Sequence, residues 1–413
     1  MSPVTSAGWS AIFAVLALVG AGTRDLLLFV LGTSGVLVAL TSGLWQRYGL
    51  VGVTYRRTVS QSHAFFGEEI DLVLEVTNRK VLPLPWLEVE DDVPESLTYL
   101  NALLGSSYKA KRRTLVHLCS LRWYERVRRR YRIRCSHRGL HEFGPATLWA
   151  GDLFGLTLQR REVPEVTRLI VYPKIVPLER LGLEVSGPFG DLVKPRTLWE
   201  DPTWVAGVRP YQPGDPLRRV HWKASARLGH LHVKLLEPTT HPRLAIFLDM
   251  HTLLGHAWWA GYDPLLVELS IVVAASLATW AAEQHLPVGL FANGPRFRGE
   301  GPATVALPPS EHPEHLRRIL EALATLIPVA TTSLGDLLRT EAPGLAFGAT
   351  IIAITAVPDP DSLDVLERLR AEGHPVGMIL VGSRAPAVSA GDLPVFRIQG
   401  EEAWRDIARI TVG

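Results

Sequence analysis

The sequence predicts three structural parts: an N-terminal transmembrane helical hairpin, a β-sandwich-like domain and a C-terminal α/β domain on a largely parallel sheet. Two charge-free apolar stretches at the start predict the hairpin. Short runs of alternating apolar and polar residues between positions 51 and 172 predict the sandwich. Strand-like and helix-like segments alternate after about Arg243, and they predict the α/β layer structure. The boundaries fall at 1–48 for the hairpin, 49–177 for the β-rich part, 178–242 for a linker and 243–413 for the α/β part.

At 413 residues the chain exceeds one typical domain. Lys+Arg 43 against Asp+Glu 41 is nearly balanced, which argues against a protein built mainly for nucleic acid. Cys119 and Cys135 are too few for a disulfide framework and read as free buried thiols. No charged side chain precedes Arg24, and Leu26 to Leu44 runs without one. A spanning helix needs about 20 residues, and both stretches reach that if the first begins near Pro3, which places residues 3–44 in the bilayer. Arg24-Asp25 leaves room only for a tight turn, and Trp9 and Trp45 suit the headgroup zone. Arg47, Arg56 and Arg57 follow the hairpin, so the positive-inside rule predicts a two-pass cell-membrane protein with its soluble part cytoplasmic. A cleaved signal peptide ending near Gly22 is the alternative, but it lacks a basic start.

In the β-rich part, Ile70, Leu72, Leu74 and Val76 alternate with Asp71, Val73, Glu75 and Thr77. Arg128, Arg130, Arg132 and Arg134 share one strand face, opposite Arg129, Tyr131, Ile133 and Cys135. The basic stretch Lys109 to Arg138 reads as a solvated strand face, or else as a surface for anionic lipid or an acidic partner. Leu178 to Pro210 reads as an irregular linker rich in Gly, Pro and Trp. Beyond it, strands are expected at Leu244–Asp249, Val288–Ala292, Thr350–Ala356, Val376–Val381 and near Val395. Helices are expected at Asp263–His285, Glu311–Ile327, Pro360–Glu372 and Glu401–Ile410.

The most distinctive segment runs from Arg209 to Arg227. Pro213-Gly214 fits a type II turn. Asp215 is expected to cap a helix opening at Pro216, with Leu217, Val220, Ala224 and Leu228 inward and Gly229 ending it. Arg218, His221, Trp222 and Ser225 share another face, and a strand follows with Leu231, Val233 and Leu235 on one side. Tyr211, Gly214, Asp215, Arg218, His221, Trp222, Lys223 and Arg227 together resemble the signature of the domain of unknown function 58 family. Gly139-Leu-His-Glu-Phe-Gly-Pro145, Gly151-Asp-Leu-Phe-Gly155, Phe66-Gly-Glu68 and Pro83-Leu-Pro-Trp86 also resemble that family. The resemblance implies a membrane-anchored protein with a von Willebrand factor type A-like (Rossmann-like) C-terminal part. It further implies association with ATPases of the MoxR type within the AAA+ class, and with transglutaminase-like proteins. It implies no activity and no cofactor.

A von Willebrand-type metal site needs Asp-x-Ser-x-Ser after its first strand, because hard oxygens surround magnesium. Here Asp249 is followed by His251 and Leu253 at the serine positions, so the site reads as degenerate. Thr331, Thr332 and Asp359 are the later oxygen candidates. Zinc on His221, His230, His232 and His241 is conceivable but lacks ligand spacing. The expected function is a scaffold or adaptor that binds a cytoplasmic protein partner, through a helix face around Arg218, His221, Trp222 and Lys223 that serves either as a docking surface or as an internal clamp. The alternatives are an enzyme using Asp215, His221, Lys223 and Arg227, and a metal-dependent adhesion module.

Overall fold

The computed structural model describes residues 6–183, 188–193, 200–212, 215, 220–238, 243–253, 261–297, 303–383 and 393–398. Pro3, the Pro213-Gly214 turn, the helix start at Pro216, Leu217, Arg218, His241 and the helix expected at 401–410 lie outside the described residues. The chain forms two compact units, 1–172 and 173–413.

Helices α1 (Ser6–Thr23) and α2 (Leu26–Tyr48) form the N-terminal pair. Arg24 turns the chain with φ +56°. Asp25 then caps α2, accepting the Leu27 and Leu28 N–H groups at 3.0 and 3.3 Å. The helices approach closely because small residues line the seam: a Cβ on Gly20 or Gly32 would collide with the backbone of Phe29 or Ala17. Outside the seam, Ile12, Val15, Leu18, Leu37 and Leu40 are exposed. By length and composition α2 is long and apolar enough to cross a membrane, whereas the apolar stretch of α1 is shorter.

The β-rich part of this unit contains β1 (Val53–Val59), β2 (His63–Ala64), β3 (Glu69–Asn78), β4 (Leu84–Pro94), β5 (Thr98–Tyr99) and β6 (Leu104–Ser106). It continues with β7 (Arg112–Leu121), β8 (Arg126–Arg134), β9 (Gly139–Phe143), β10 (Ala146–Gly151), β11 (Leu158–Val163) and β12 (Thr167–Val171). They form sheets ordered β1-β3-β8-β5, β11-β10-β4-β7-β6 and β2-β12-β9. Ile70, Leu72, Leu74 and Val76 enter one core with Leu87, Val89, Leu148 and Ile133, as the period of two predicts. The opposite face carries a ladder of charge: Arg128 pairs with Glu75 at 2.7 Å and Arg134 with Glu69 at 2.8 Å. That arginine face is therefore a solvated strand face already matched by carboxylates on β3. Cys119 and Cys135 are free thiols, and burial pushes both up, Cys135 to about 11.

Two residues counted as membrane flanks turn out to serve packing. Arg57 is buried against Asp91 at 2.8 Å, and Tyr55 donates to the same carboxylate at 2.7 Å. Trp45 is also buried; rather than facing headgroups, its indole N–H donates to the Pro83 carbonyl at 3.0 Å.

The second unit begins with a 3-10 turn at Leu178–Leu181 and α3 (Pro188–Val193). Phe189 of α3 is buried edge-on to Phe396, and Leu192 lies against Gly377. This stretch is thus packed structure and not an irregular linker. β13 (Glu200–Pro210) pairs antiparallel with β14 (His232–Pro238), with α4 (Trp222–Leu228) between them. The main sheet uses β15 (Leu244–Leu248), β16 (Val288–Ala292), β17 (Val305–Ser310), β18 (Thr350–Thr355), β19 (Val376–Val381) and β20 (Val395–Ile398). Its order is β17-β16-β15-β18-β19-β20, parallel except for β17.

Helix α5 (Pro264–Glu283) follows β15, and α6 (His315–Thr325), α7 (Leu334–Glu341) and α8 (Pro360–Ala371) follow in turn. Ala245, Phe247, Ile351 and Ala353 pack with Leu337 and Leu338 of α7 and Leu366 of α8. Alternate strand residues face the other way, toward the side that α5 covers, so helices lie on both faces. The strands at Val288–Ala292 and Val376–Val381 match expectation to the residue.

Candidate functional site

Two places draw polar side chains together in the second unit. The first is the signature segment. Asp215 takes a two-pronged ion pair from Arg209, at 2.7 Å on each oxygen, and accepts the Gln212 N–H at 2.9 Å. It therefore stiffens the end of β13. The helix cap falls to His221, whose Nδ1 accepts the Ala224 N–H at 3.0 Å. Val220 bridges Val233, and α4 opens at Trp222. Tyr211 donates its N–H to Leu231 at 2.9 Å, and Ser225 is the buried residue of α4, bonding the backbone of both His221 and His232. Gly229 ends the helix at φ +76°.

Local folding thus consumes Asp215, the His221 Nδ1 atom and Ser225. It leaves Trp222, Lys223 and Arg227 exposed, Trp222 by 68 %. Leu228, expected inward, is exposed as well, because the short helix buries only one position. Gly214 and Arg218 lie outside the described residues. Of the four residues named for an enzyme, Asp215 is ion-paired to Arg209 and His221 uses its Nδ1 atom in the helix cap. Among the described residues the histidines do not converge on a metal: the His232 Nδ1 atom lies 3.0 Å from the His230 carbonyl and His230 is exposed. Arg209 was the partner that sequence reasoning missed; a basic residue six positions before an aspartate gives no signal until β13 turns back on itself.

The second place is the carboxyl end of the main sheet. Asp249 follows β15 and is wholly buried. Its Oδ1 accepts the His251 N–H at 2.9 Å and the Asn293 amide at 2.7 Å, and its Oδ2 accepts the Thr355 hydroxyl at 2.8 Å. Asn293 follows β16 and accepts the Met250 N–H at 2.8 Å, while Thr355 ends β18. The three thus tie together the ends of neighbouring strands where the winding direction of the sheet reverses, the usual ligand crevice of such sheets. All the donors are neutral, so burial holds the Asp249 carboxyl above the usual carboxylate range, against the opposing pull of those hydrogen bonds.

A magnesium ion does not fit this donor set. Both Asp249 oxygens are occupied, and Asn293 turns its NH2 group, not its oxygen, toward the carboxylate. The Thr331 hydroxyl donates to the Asn293 and Ala303 carbonyls, and Asp359 caps α8 by accepting the Ser362 N–H. Among the described residues no group of three or more His, Cys, Asp or Glu is placed to hold a metal. Asn293 and Thr355 were not anticipated. Their one sequence signal was position: each stands at the end of an apolar strand, as Asp249 does.

Comparison with known proteins places the signature in context. Residues 207–342 match the family model described as protein of unknown function DUF58. A relative, "Uncharacterized protein YeaD" of Bacillus subtilis (strain 168), is 26% identical over 219 residues, 51% of this chain and 51% of that protein. The match spans about half the length of that relative. Among solved structures, the CARDB domain of the PF1109 protein from Pyrococcus furiosus is 11% identical at a TM-score of 0.20, covering 29% of this chain and 91% of that one. A cohesin module from Clostridium perfringens is 12% identical at 0.21, covering 29% and 96%. Scores of that size carry no weight for the fold.

Proposed function

We propose that this chain is a membrane-anchored scaffold whose α1–α2 pair crosses the bilayer twice and whose C-terminal unit, a von Willebrand factor A-like domain, binds a cytoplasmic protein. The observation that carries the binding role is the exposed Trp222, Lys223 and Arg227 face of α4 within the segment matched to DUF58. Aromatic and arginine side chains that local structure does not use are the residue types that dominate protein–protein recognition. Their neighbours Asp215, His221 and Ser225 are locked by hydrogen bonds, which holds the face in one shape before a partner arrives. The partner class that fits the resemblance is a MoxR-type AAA+ ATPase, with a transglutaminase-like protein second. The exposed apolar flanks of α1 and α2, followed by Arg47 and Arg56, support a spanning pair with the soluble units inside.

The test is capture from detergent-solubilised membranes with the full chain as bait and a purified MoxR-type ATPase as prey. Trp222→Ala combined with Lys223→Glu should weaken capture about tenfold or more, the size of one interface anchor, with an unchanged far-ultraviolet spectrum. Undiminished capture by that variant would remove α4 as the docking face. A C-terminal reporter active only outside the cytoplasm would overturn the orientation.

A further inference from the structure

The β-rich part has a membrane-facing end that the helices alone do not explain. Every strand end near the foot of α2 can be placed by register. Val53, the start of β1, pairs with Asn78, the end of β3. Thr77 pairs with Arg126, the start of β8. Leu84 pairs with Leu121, and Trp86 with Gly151, the end of β10. The turns 79–83, 122–125 and 152–157 therefore gather at one end, the end at which α2 enters.

The 79–83 turn, and β11 just after the 152–157 turn, are bonded directly to the foot of the helix. Lys80 donates to the Gly49 and Val51 carbonyls, the latter at 2.7 Å, and Pro83 accepts the Trp45 indole. Gln159 donates to the Gln46 carbonyl and accepts the Leu50 N–H at 2.8 Å, and Arg161 donates to Leu50 and Val53 at 2.9 and 2.5 Å. The joint is rigid, so the depth of α2 sets the depth of the turns. Leu26 to Leu44 is about 28 Å of helix at 1.5 Å per residue, close to the hydrocarbon thickness of about 30 Å. Trp45 to Gly52, and the turns bonded to them, then fall at headgroup level.

The side chains on those turns suit that level. Val81, Trp123, Tyr124, Leu153, Phe154 and Leu156 are all at least half exposed. Scattered exposed apolar residues are ordinary on a protein surface. Here three separate turns bring them to one end, interleaved with exposed Arg79, Arg122 and Arg160. The acids of the same turns are taken up locally: Asp152 accepts the Leu156 N–H and Glu125 the Arg122 N–H. Apolar and aromatic tips ringed by exposed cations are the composition of an interfacial membrane contact.

We infer that this end of the β-rich part sits in the interfacial zone of the bilayer that α2 crosses, with Trp123, Tyr124, Phe154 and Leu156 inserted among lipids and the arginines on anionic headgroups. The inference rests on the proposed spanning role of α1 and α2. It adds a second contact that fixes the tilt of the β-rich part over the membrane.

The full chain, with Cys119→Ala and Cys135→Ala, is reconstituted in equimolar phosphatidylcholine and phosphatidylglycerol vesicles and labelled at Phe154→Cys with an environment-sensitive dye. Leu103→Cys, exposed outside the three turns, is the control. Spin-labelled lipids should quench the dye at 154 about twofold more than at 103, as expected for a side chain about 5–10 Å into the interface. Equal quenching at the two sites overturns the inference. A second measurement leaves the cysteines alone: brominated lipid quenching is compared for the wild type and Trp123→Phe. A quenchable component lost in the variant supports insertion, and identical quenching overturns it. Flotation of the same vesicles in alkaline carbonate separates the two ideas. If the chain floats and the labels are unquenched, only this inference fails; if it does not float, the spanning role fails first.

Discussion

Helices α2 and α5 are nearly indistinguishable as strings of residues. Both are long and apolar enough to cross a membrane, and an aspartate caps each: Asp25 bonds Leu27 and Leu28, Asp263 bonds Leu265 and Leu266. Yet only 17% of the apolar window of α2 is buried within the protein, against 67% for α5. Their polar residues divide less cleanly. Thr33, Ser34 and Thr41 of α2 return their hydroxyls to carbonyls of their own helix, at 2.8 to 3.1 Å. Each of these hydroxyls is satisfied within its own helix. Ser276 of α5 instead accepts the Val176 N–H from a separate segment at 2.9 Å. Thr279 of α5 bonds its own helix at 2.8 Å as the α2 hydroxyls do, so apolar length and hydroxyl pairing alone are no guide to what surrounds a helix; the share of it that is buried is.

The strongest way to break this contrast is to put the same charge in both helices. Ala275 of α5 is fully buried. Ala275→Asp should cost about 4 kcal/mol or more, a large part of a domain's stability. The expected outcome is loss of protease resistance across residues 243–398 in the full-length protein. Leu40 of α2 is 63% exposed, and Leu40→Asp should leave both folded units intact. It should instead cost about 3 kcal/mol of insertion, read as release by alkaline carbonate. If Leu40→Asp melts the soluble units, or Ala275→Asp leaves them resistant, the two helices are not what their burial says.

A subtler change acts on the less buried member, α2. Gly32 admits no side chain beside Ala17. Gly32→Leu should therefore push α1 and α2 apart at about 1–3 kcal/mol. Oxidative cross-linking between Phe13→Cys and Gly35→Cys, which sit against each other across the seam, should slow several-fold. An unchanged rate would mean that the pair is held by something other than its small residues.

The legibility of this chain follows the range over which each signal acts. Period-two burial along β3 and the apolar runs at β16 and β19 are local patterns, and the sequence predicts them to within a residue or two. Glu200–Pro210 was hidden, because its strand character comes from pairing with β14 across the signature helix. Asp215 was singled out, but its ion pair with Arg209 was not anticipated. A helix cap and an ion pair look alike in sequence, and only the course of β13 brings Arg209 to it. Asn293 and Thr355 stand 44 and 106 residues from Asp249, so their convergence is a property of strand order and of no local pattern.

That convergence yields the smallest effect, and it refines the buried side of the contrast. Asp249 lies at the end of the strand α5 covers, and Thr252 accepts the N–H of the α5 cap, Asp263, at 2.7 Å. Because burial outweighs its hydrogen bonds and the nearby His251, Asp249 binds its proton more tightly folded than unfolded. The folded state then holds more protons once pH rises past the unfolded value of about 3.9, so stability falls with pH from there up to the folded pKa. Asp249→Asn keeps an oxygen for His251 and Asn293 and offers an amide to the Thr355 hydroxyl. Thermal melts at pH 4 and pH 7.5 should show the variant gaining about 1 kcal/mol on the wild type at the higher pH, with little difference at the lower. A variant that loses stability most at the higher pH would mean that the carboxylate is held ionised by a cation, and the neutral network around it would have to be abandoned.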